Sequence, residues 1–121
     1  MYNYDPDNFD RSAFSCPCGC GFDTMDFRTK EIIDYLTRKY GVLPTIHSGC
    51  RCNEHNERVG GSKHSFHKKA RALDFHFDGI CNKRIYQDLD EEMKGYGGIG
   101  FYSWGIHMDT RKVIARWGHI T

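Results

Sequence analysis

The sequence predicts an α+β fold, a small antiparallel sheet with two main helices, on three observations. Two segments, Thr24 to Tyr40 and Asn82 to about Lys94, repeat apolar residues at helical spacing. Between them Ala70 to Phe77 alternates strictly, so that Leu73, Phe75 and Phe77 share one face and Ala72, Asp74 and His76 the other. Beyond Gly98, three short stretches rich in β-branched and aromatic residues are separated by turn residues, as in hairpins.

Along the chain, residues 1–22 are rich in Asp, Asn, Gly, Pro and Cys without sustained periodicity and read as an irregular arm pinned by its cysteines. The first helix carries Met25, Ile32, Ile33, Leu36 and Tyr40, with Asp23 or Thr24 as N-cap and Gly41 placed to end it. Thr45 to Ser48 is a short strand after Pro44. Asn53 to Lys69 is polar, contains glycine and shows no period, which predicts a long loop; loops of that length inside a compact unit are usually functional or mobile. Ala70 to Phe77 then builds core with one face and lines a site with the other. Asn82 is placed to cap the second helix, whose Ile85, Leu89 and Met93 form a core stripe before Gly95. The last strands are expected around Ile99–Tyr102, Ile106–Asp109 and Val113–Trp117. No internal repeat or low-complexity tract interrupts them.

A chain of 121 residues suits one hydrophobic core, so a single domain spanning 1–121 is expected. Seventeen Lys and Arg against sixteen Asp and Glu leave a formal charge of +1, which offers no electrostatic case for nucleic acid or an anionic membrane surface. No apolar run approaches the roughly 20 residues needed to span a bilayer. The N-terminus has neither the basic start nor the apolar stretch of a signal peptide, so synthesis in the cytoplasm is expected. The expected oligomeric state is a monomer.

Five of the six cysteines fall in two tight groups: Cys16, Cys18 and Cys20, then Cys50 and Cys52. Such groups bind metal in cytosolic proteins and form disulfides in secreted ones, and the C-x-C spacing leaves both open, with simple free thiols as the third alternative. Because residues 1–22 have too few apolar side chains to hold themselves down, some of Cys16, Cys18 and Cys20 should be joined to Cys50 or Cys52 by zinc or disulfide. Cys81 is expected to be a buried free thiol.

The residues that carry chemistry are His67, in the predicted loop, Asp74, on the polar face of the strand that follows, and His107 with Asp109 on one face of a later strand. If the two strands are neighbours, two imidazoles and a carboxylate converge. Zinc takes such a donor set, leaving a fourth position for water as in catalytic rather than structural sites. Spacing alone also allows a plainer outcome, in which Asp74 pairs with an arginine, His107 is a satisfied strand histidine and His67 is solvated. That plainer outcome is the expectation for His47, His55, His64, His76 and His119, of which His64 and His76 lie near enough to support the site.

Taken in order, Ser48-Gly-Cys-Arg51, Asn56-x-x-Val-Gly-Gly61, Ser65-x-His67-x-x-Ala-x-Ala72-x-Asp74, Gly98-Ile-Gly-Phe-Tyr102, His107-x-Asp109-x-Arg111 and Arg116-Trp117 resemble the zinc D-Ala-D-Ala carboxypeptidase and L-Ala-D-Glu endopeptidase family, whose fold is shared with the hedgehog signalling domain. The resemblance covers roughly residues 43–117, which would be the metallopeptidase core. It implies that His67, Asp74 and His107 bind one catalytic zinc, that Arg51 anchors or polarises substrate, and that Ser65 binds the peptide near the metal. A second, structural zinc at the cysteines is the further cofactor expectation. The implied substrate is peptidoglycan peptide, with D-Ala-D-Ala or L-Ala-D-Glu type specificity. Small relatives without signal peptides are often phage endolysins, which implies action on the wall after release from the cytoplasm.

The chain departs from the family pattern at three places. Ala70 stands where glycine is usual, a small change if positive φ is not needed there, and Cys50 stands where tyrosine is common. Trp104 occupies the position, three before His107, where many relatives carry the general base. With Trp104 unable to accept a proton, Asp109 is the expected acid near zinc, unless it only orients a histidine ligand or pairs with Arg111 or Arg116; His64 and His76 are the other candidates. A non-catalytic zinc-containing binding module of the same fold is the alternative to an enzyme. Phe101, Tyr102, Trp104 and Trp117 are expected in core or pocket wall.

Overall fold

The computed structural model describes residues 14–22 and 25–118. They form one five-stranded sheet carrying helices, an α+β architecture. The elements are α1 (Phe27–Tyr40), β1 (Thr45–Ser48), α2 (Asn53–Arg58), a 3-10 turn (Phe66–Lys69), β2 (Ala72–His76), α3 (Asn82–Glu92), β3 (Gly98–Tyr102), β4 (Gly105–Asp109) and β5 (Ala115–Trp117). Strand order is β1-β2-β4-β3-β5. All neighbours are antiparallel except β3 and β5, which run parallel, a departure from the all-hairpin expectation. The chain from β4 to β5 steps over the start of β3 instead of turning back on β4, and the bonds Gly97 N–H to Arg111 O and Ala115 N–H to Gly97 O tie that step down.

Alternation gives the sheet two unlike faces. Leu73, Phe75, Ile99, Ile106 and Met108 are fully buried and pack with Ile32, Ile33 and Leu36 of α1 and with Ile85, Leu89 and Met93 around α3. Fully burying each such side chain is worth about 1.5–3 kcal/mol, so this face anchors the strands. The other face is left for polar residues.

Helix boundaries differ from the periodic reading. Asp23 and Thr24 lie outside the described residues, and the N-cap of α1 is Asp26, whose carboxylate accepts from Thr29 N–H at 3.2 Å. Gly41 ends α1 as expected, in the left-handed region at φ 72°. Asn82 is the first residue of α3 rather than its cap; Cys81 holds the cap position without a side-chain bond, and its thiol is exposed, not buried. The stretch expected as one loop, 53–69, contains α2 and the 3-10 turn. Both are too short and polar to show periodicity, and each is started by the side chain before it: Cys52 accepts from His55 N–H and Ser65 from His67 N–H. Ala70 ends the 3-10 turn at φ 56°, so the position does require positive φ. A non-glycine residue there costs about 1–2 kcal/mol of backbone strain. Among the described residues no helix is long and apolar enough to cross a membrane.

Candidate metal centre and active-site cavity

Strand register builds the centre of the polar face. Asp74 of β2 pairs directly with His107 of β4, and His107 pairs on its other side with Gly100 of β3, which faces Trp117 of β5. One row of the sheet therefore runs carboxylate, imidazole, glycine, indole. Glycine is required at 100 because a Cβ there would lie 2.4 Å from the Trp117 indole nitrogen. With no side chain in between, Trp117 lies beside His107 at a ring separation of 5.3 Å.

His67 enters from the 3-10 turn rather than from a strand. Its Nδ1–H donates to the Gly49 carbonyl at 2.7 Å, and the residue is only 2% exposed. The bond fixes the tautomer and points Nε2 inward. Nε2 lies 3.2 Å from Asp74 Oδ2 but off the hydrogen-bonding direction, so this buried nitrogen has a charged neighbour and no hydrogen bond. Asp74 Oδ1 lies 2.7 Å from His107 Nδ1. One donor atom from each of His67, Asp74 and His107 falls within 4.8 Å of the others. An unsatisfied buried nitrogen beside a carboxylate and a second imidazole is a donor set that could hold a metal ion.

Burial pushes the Asp74 carboxyl upward, but the hydrogen bond of His107 and the close His67 imidazole outweigh it and hold Asp74 well below the usual carboxylate range. His107 is itself raised: burial works against its charge, and the bonds to Asp109 and then Asp74 prevail.

Asp109 does share a face with His107, and its Oδ2 lies 2.8 Å from His107 Nε2, the ring nitrogen away from Asp74. The carboxylate is completely buried. Arg111 grips it in a fork, Nε to Oδ1 at 2.7 Å and Nη2 to Oδ2 at 2.6 Å, and Gly98 N–H adds a bond at 3.0 Å. Burial raises its pKa, but His107 and Arg111 hold it well below the ordinary value. Asp109 is thus placed behind the ring it orients, and its oxygens are already engaged.

Above His67, Asp74 and His107 opens a cavity of about 440 Å³. Arg51 and Ser65 line it, as do His64, Tyr102, Trp104 and Trp117. Arg51 is held by Asn56, whose Oδ1 accepts from Nη1 at 3.1 Å and whose Nδ2–H donates to Ser62 O at 2.8 Å. Gly61 closes this knot, since a Cβ there would fall 2.1 Å from Asn56 Oδ1. Burial lowers the Arg51 pKa, and the charges of Asp74 and Cys16 oppose that shift. Its Nε is buried with no partner among the described residues. The sequence reading did not single out Gly49, Asn56 or Gly61 as parts of the site, although Asn56-x-x-Val-Gly-Gly61 lay among the motifs.

Trp104 sits in the two-residue turn between Tyr102 and Gly105, stacked on Tyr102 at 4.9 Å and 43% exposed. His47 and His76 form a separate pair, 2.7 Å between ring nitrogens, with His76 also bonded to Asp78. His119 lies outside the described residues. Cys16, Cys18, Cys20 and Cys52 form a second cluster, whereas Cys50 is buried in the core.

A polar row of aspartate and histidine on a small α+β sheet, fed by a loop histidine, frames a site that could hold a metal ion at the floor of a cavity. A family model described as Peptidase M15 matches residues 7–109, and the chain belongs to that family. Its curated relatives include "Peptidoglycan L,D-endopeptidase MepK" of Escherichia coli (strain K12) and the protein of the same name in Shigella flexneri. Each is 33% identical over 70% of this chain and 56% of the relative. The chain therefore spans little more than half the length of these relatives.

Proposed function

We propose that this protein is a zinc peptidase that hydrolyses peptide bonds in peptidoglycan, with the L,D-endopeptidase specificity named for its relatives as the favoured form. The observation that carries the reading is His67 Nε2, buried and without a hydrogen bond, facing Asp74 and His107 at the floor of an open cavity. These three residues would hold the ion. Bound there, zinc would supply Lewis acidity and lower the pKa of water towards ~7.

The chain's own residues do the rest. Gly49 O and Asp109 orient the two imidazoles from behind, which keeps each ring presenting the correct nitrogen. Arg51, fixed by Asn56 and carrying an unpartnered Nε, is set to take a substrate carboxylate or the developing oxyanion. Ser65 shapes the cavity edge while its Oγ holds the His67 backbone. With Asp109 engaged by Arg111, His64 is the imidazole on the cavity wall that remains to accept the proton of attacking water and return it to the leaving amine.

The test is digestion of peptidoglycan of defined stem chemistry by the zinc-loaded protein, with fragments identified by mass spectrometry. Cleavage at an L,D bond that is lost in His67→Ala supports the reading; release of terminal D-Ala alone would assign carboxypeptidase specificity instead. Trp104 in place of the usual acid favours a second reading, a non-catalytic wall-binding module. Binding to peptidoglycan without any released fragment would establish it.

A further inference from the structure

Apart from the proposed catalytic centre, the molecule holds a second convergence of metal-ligating side chains. Cys16, Cys18, Cys20 and Cys52 each offer a sulfur, all within 4.8 Å of one another. Cys16 and Cys18 are 3.4 Å apart, Cys18 and Cys52 3.5 Å, and Cys16 and Cys52 3.8 Å. A disulfide needs about 2.05 Å between sulfurs, whereas a tetrahedron with metal–sulfur bonds of about 2.3 Å has edges of about 3.8 Å. The spacing of Cys16, Cys18 and Cys52 is that of ligands around one ion, and Cys20 lies close enough to be the fourth.

Backbone geometry is arranged for the same end. Gly19 and Gly21 take φ of 81° and 89°, letting C-P-C-G-C curl so that three alternate side chains turn to one point. Cys16 N–H closes that curl on Phe22 O at 2.8 Å. Two amides also point at sulfur: Cys52 N–H at Cys16 Sγ and His55 N–H at Cys52 Sγ, both at 3.4 Å. Such donors stabilise anionic sulfur, the form that binds metal.

We infer that Cys16, Cys18, Cys20 and Cys52 bind a structural zinc ion, which clasps residues 14–22 onto the turn carrying Gly49 and Arg51. The clasp bears on the other centre through short links. Cys50 N–H bonds Phe14 O at 2.8 Å, and Gly49 packs so tightly on Phe14 that a Cβ would lie 2.8 Å from its carbonyl oxygen. Gly49 O in turn holds His67 Nδ1, and Arg51 precedes the ligand Cys52. Four protein ligands fill the tetrahedron, so this site has no open position and no hydrolytic role.

Binding is independent of the proposed hydrolysis, and the experiment separates the two. The full chain, purified under reducing conditions, is loaded with cobalt(II) and its absorption recorded, alongside zinc content by mass spectrometry. We expect two zinc ions per chain, and for cobalt an intense sulfur-to-metal charge-transfer band with strong red d–d bands. His67→Ala/His107→Ala should lose one equivalent of metal and all hydrolysis while keeping the thiolate bands. Cys18→Ser should lose the bands; exposed Cys81→Ser should change nothing. Absence of thiolate bands in the wild-type chain, or an intact mass showing disulfides among these cysteines after reducing purification, would overturn the inference. Because the wild-type spectrum decides it, misfolding of a cysteine variant cannot mask the outcome.

Discussion

The two clusters of metal-ligating residues differ in how the chain brings them together. Asp74 and His107 face each other across paired strands whose opposite faces are locked into the core, and His67 is set by one backbone carbonyl. Three donors leave a side open to a cavity. The four sulfurs stand on a glycine-rich curl and a helix cap; Phe14 and Cys16 are buried, whereas Cys18 and Cys52 are half-buried and Cys20 is exposed. The difference teaches that paired strands preorganise the whole of the first cluster, whereas the less buried part of the second, Cys18, Cys20 and Cys52, would draw more of its order from an ion.

The sharpest way to break that comparison is Asp74→Ala. It should abolish hydrolysis and empty the His/Asp centre while leaving the thiolate ion and most of the fold in place; loss of both ions in metal analysis would show that the clusters are not separable. Treatment with a chelator extends the same contrast. The open centre should release zinc first, with activity vanishing before the thermal midpoint falls, and a simultaneous loss in calorimetry and assay would contradict it.

His64→Gln should lower kcat by about 10²–10⁴ with zinc content unchanged, since general base catalysis is worth about that much. Unchanged turnover would return the proton to another acceptor. Asp109→Asn, by contrast, should act through zinc affinity, which falls about 10–100-fold when an outer partner of a ligand is altered. At saturating zinc its turnover should largely recover; if turnover stays orders of magnitude down with a changed acidic limb of the pH–rate profile, Asp109 carries the proton after all. The smallest effect is expected at Ala70, whose left-handed backbone suits glycine. Ala70→Gly should stabilise the protein by about 0.5–1 kcal/mol in chemical denaturation, because relief of the strain exceeds the added chain entropy. A destabilised Ala70→Gly would mean that the buried methyl contributes more by packing.

Periodicity explains what was legible in advance. Ala72 to Phe77 showed its two faces because a strand that buries one side must alternate, and the same rule put His107 and Asp109 together. It does not separate Cys50 from Cys52, since residues two apart in extended backbone share a face; the two part because the chain turns after β1, leaving Cys50 in the core and Cys52 as the cap of α2. What stayed hidden depends on chain segments meeting in space. The Gly49 carbonyl behind His67 belongs to a residue eighteen positions earlier, and no local pattern announces it. The parallel pairing of β5 was equally silent, because turn residues mark where a strand ends and not which neighbour the next one takes. Asp26 was overlooked as cap for a simpler reason, since the helical period can be extended back to Met25 without a clash.

The two tryptophans of the chain, Trp104 and Trp117, both stand on the wall of one cavity, the second beside His107. Intrinsic fluorescence of this protein is therefore a local signal and not an average over the molecule. An imidazolium close to an indole quenches its emission, so the charge state and occupancy of His107 should be written in the brightness of Trp117. Trp104, at the tip of a turn and partly in water, should shift its colour when a ligand covers the groove. Filling of the site could thus be followed by light alone, without label or substrate analogue.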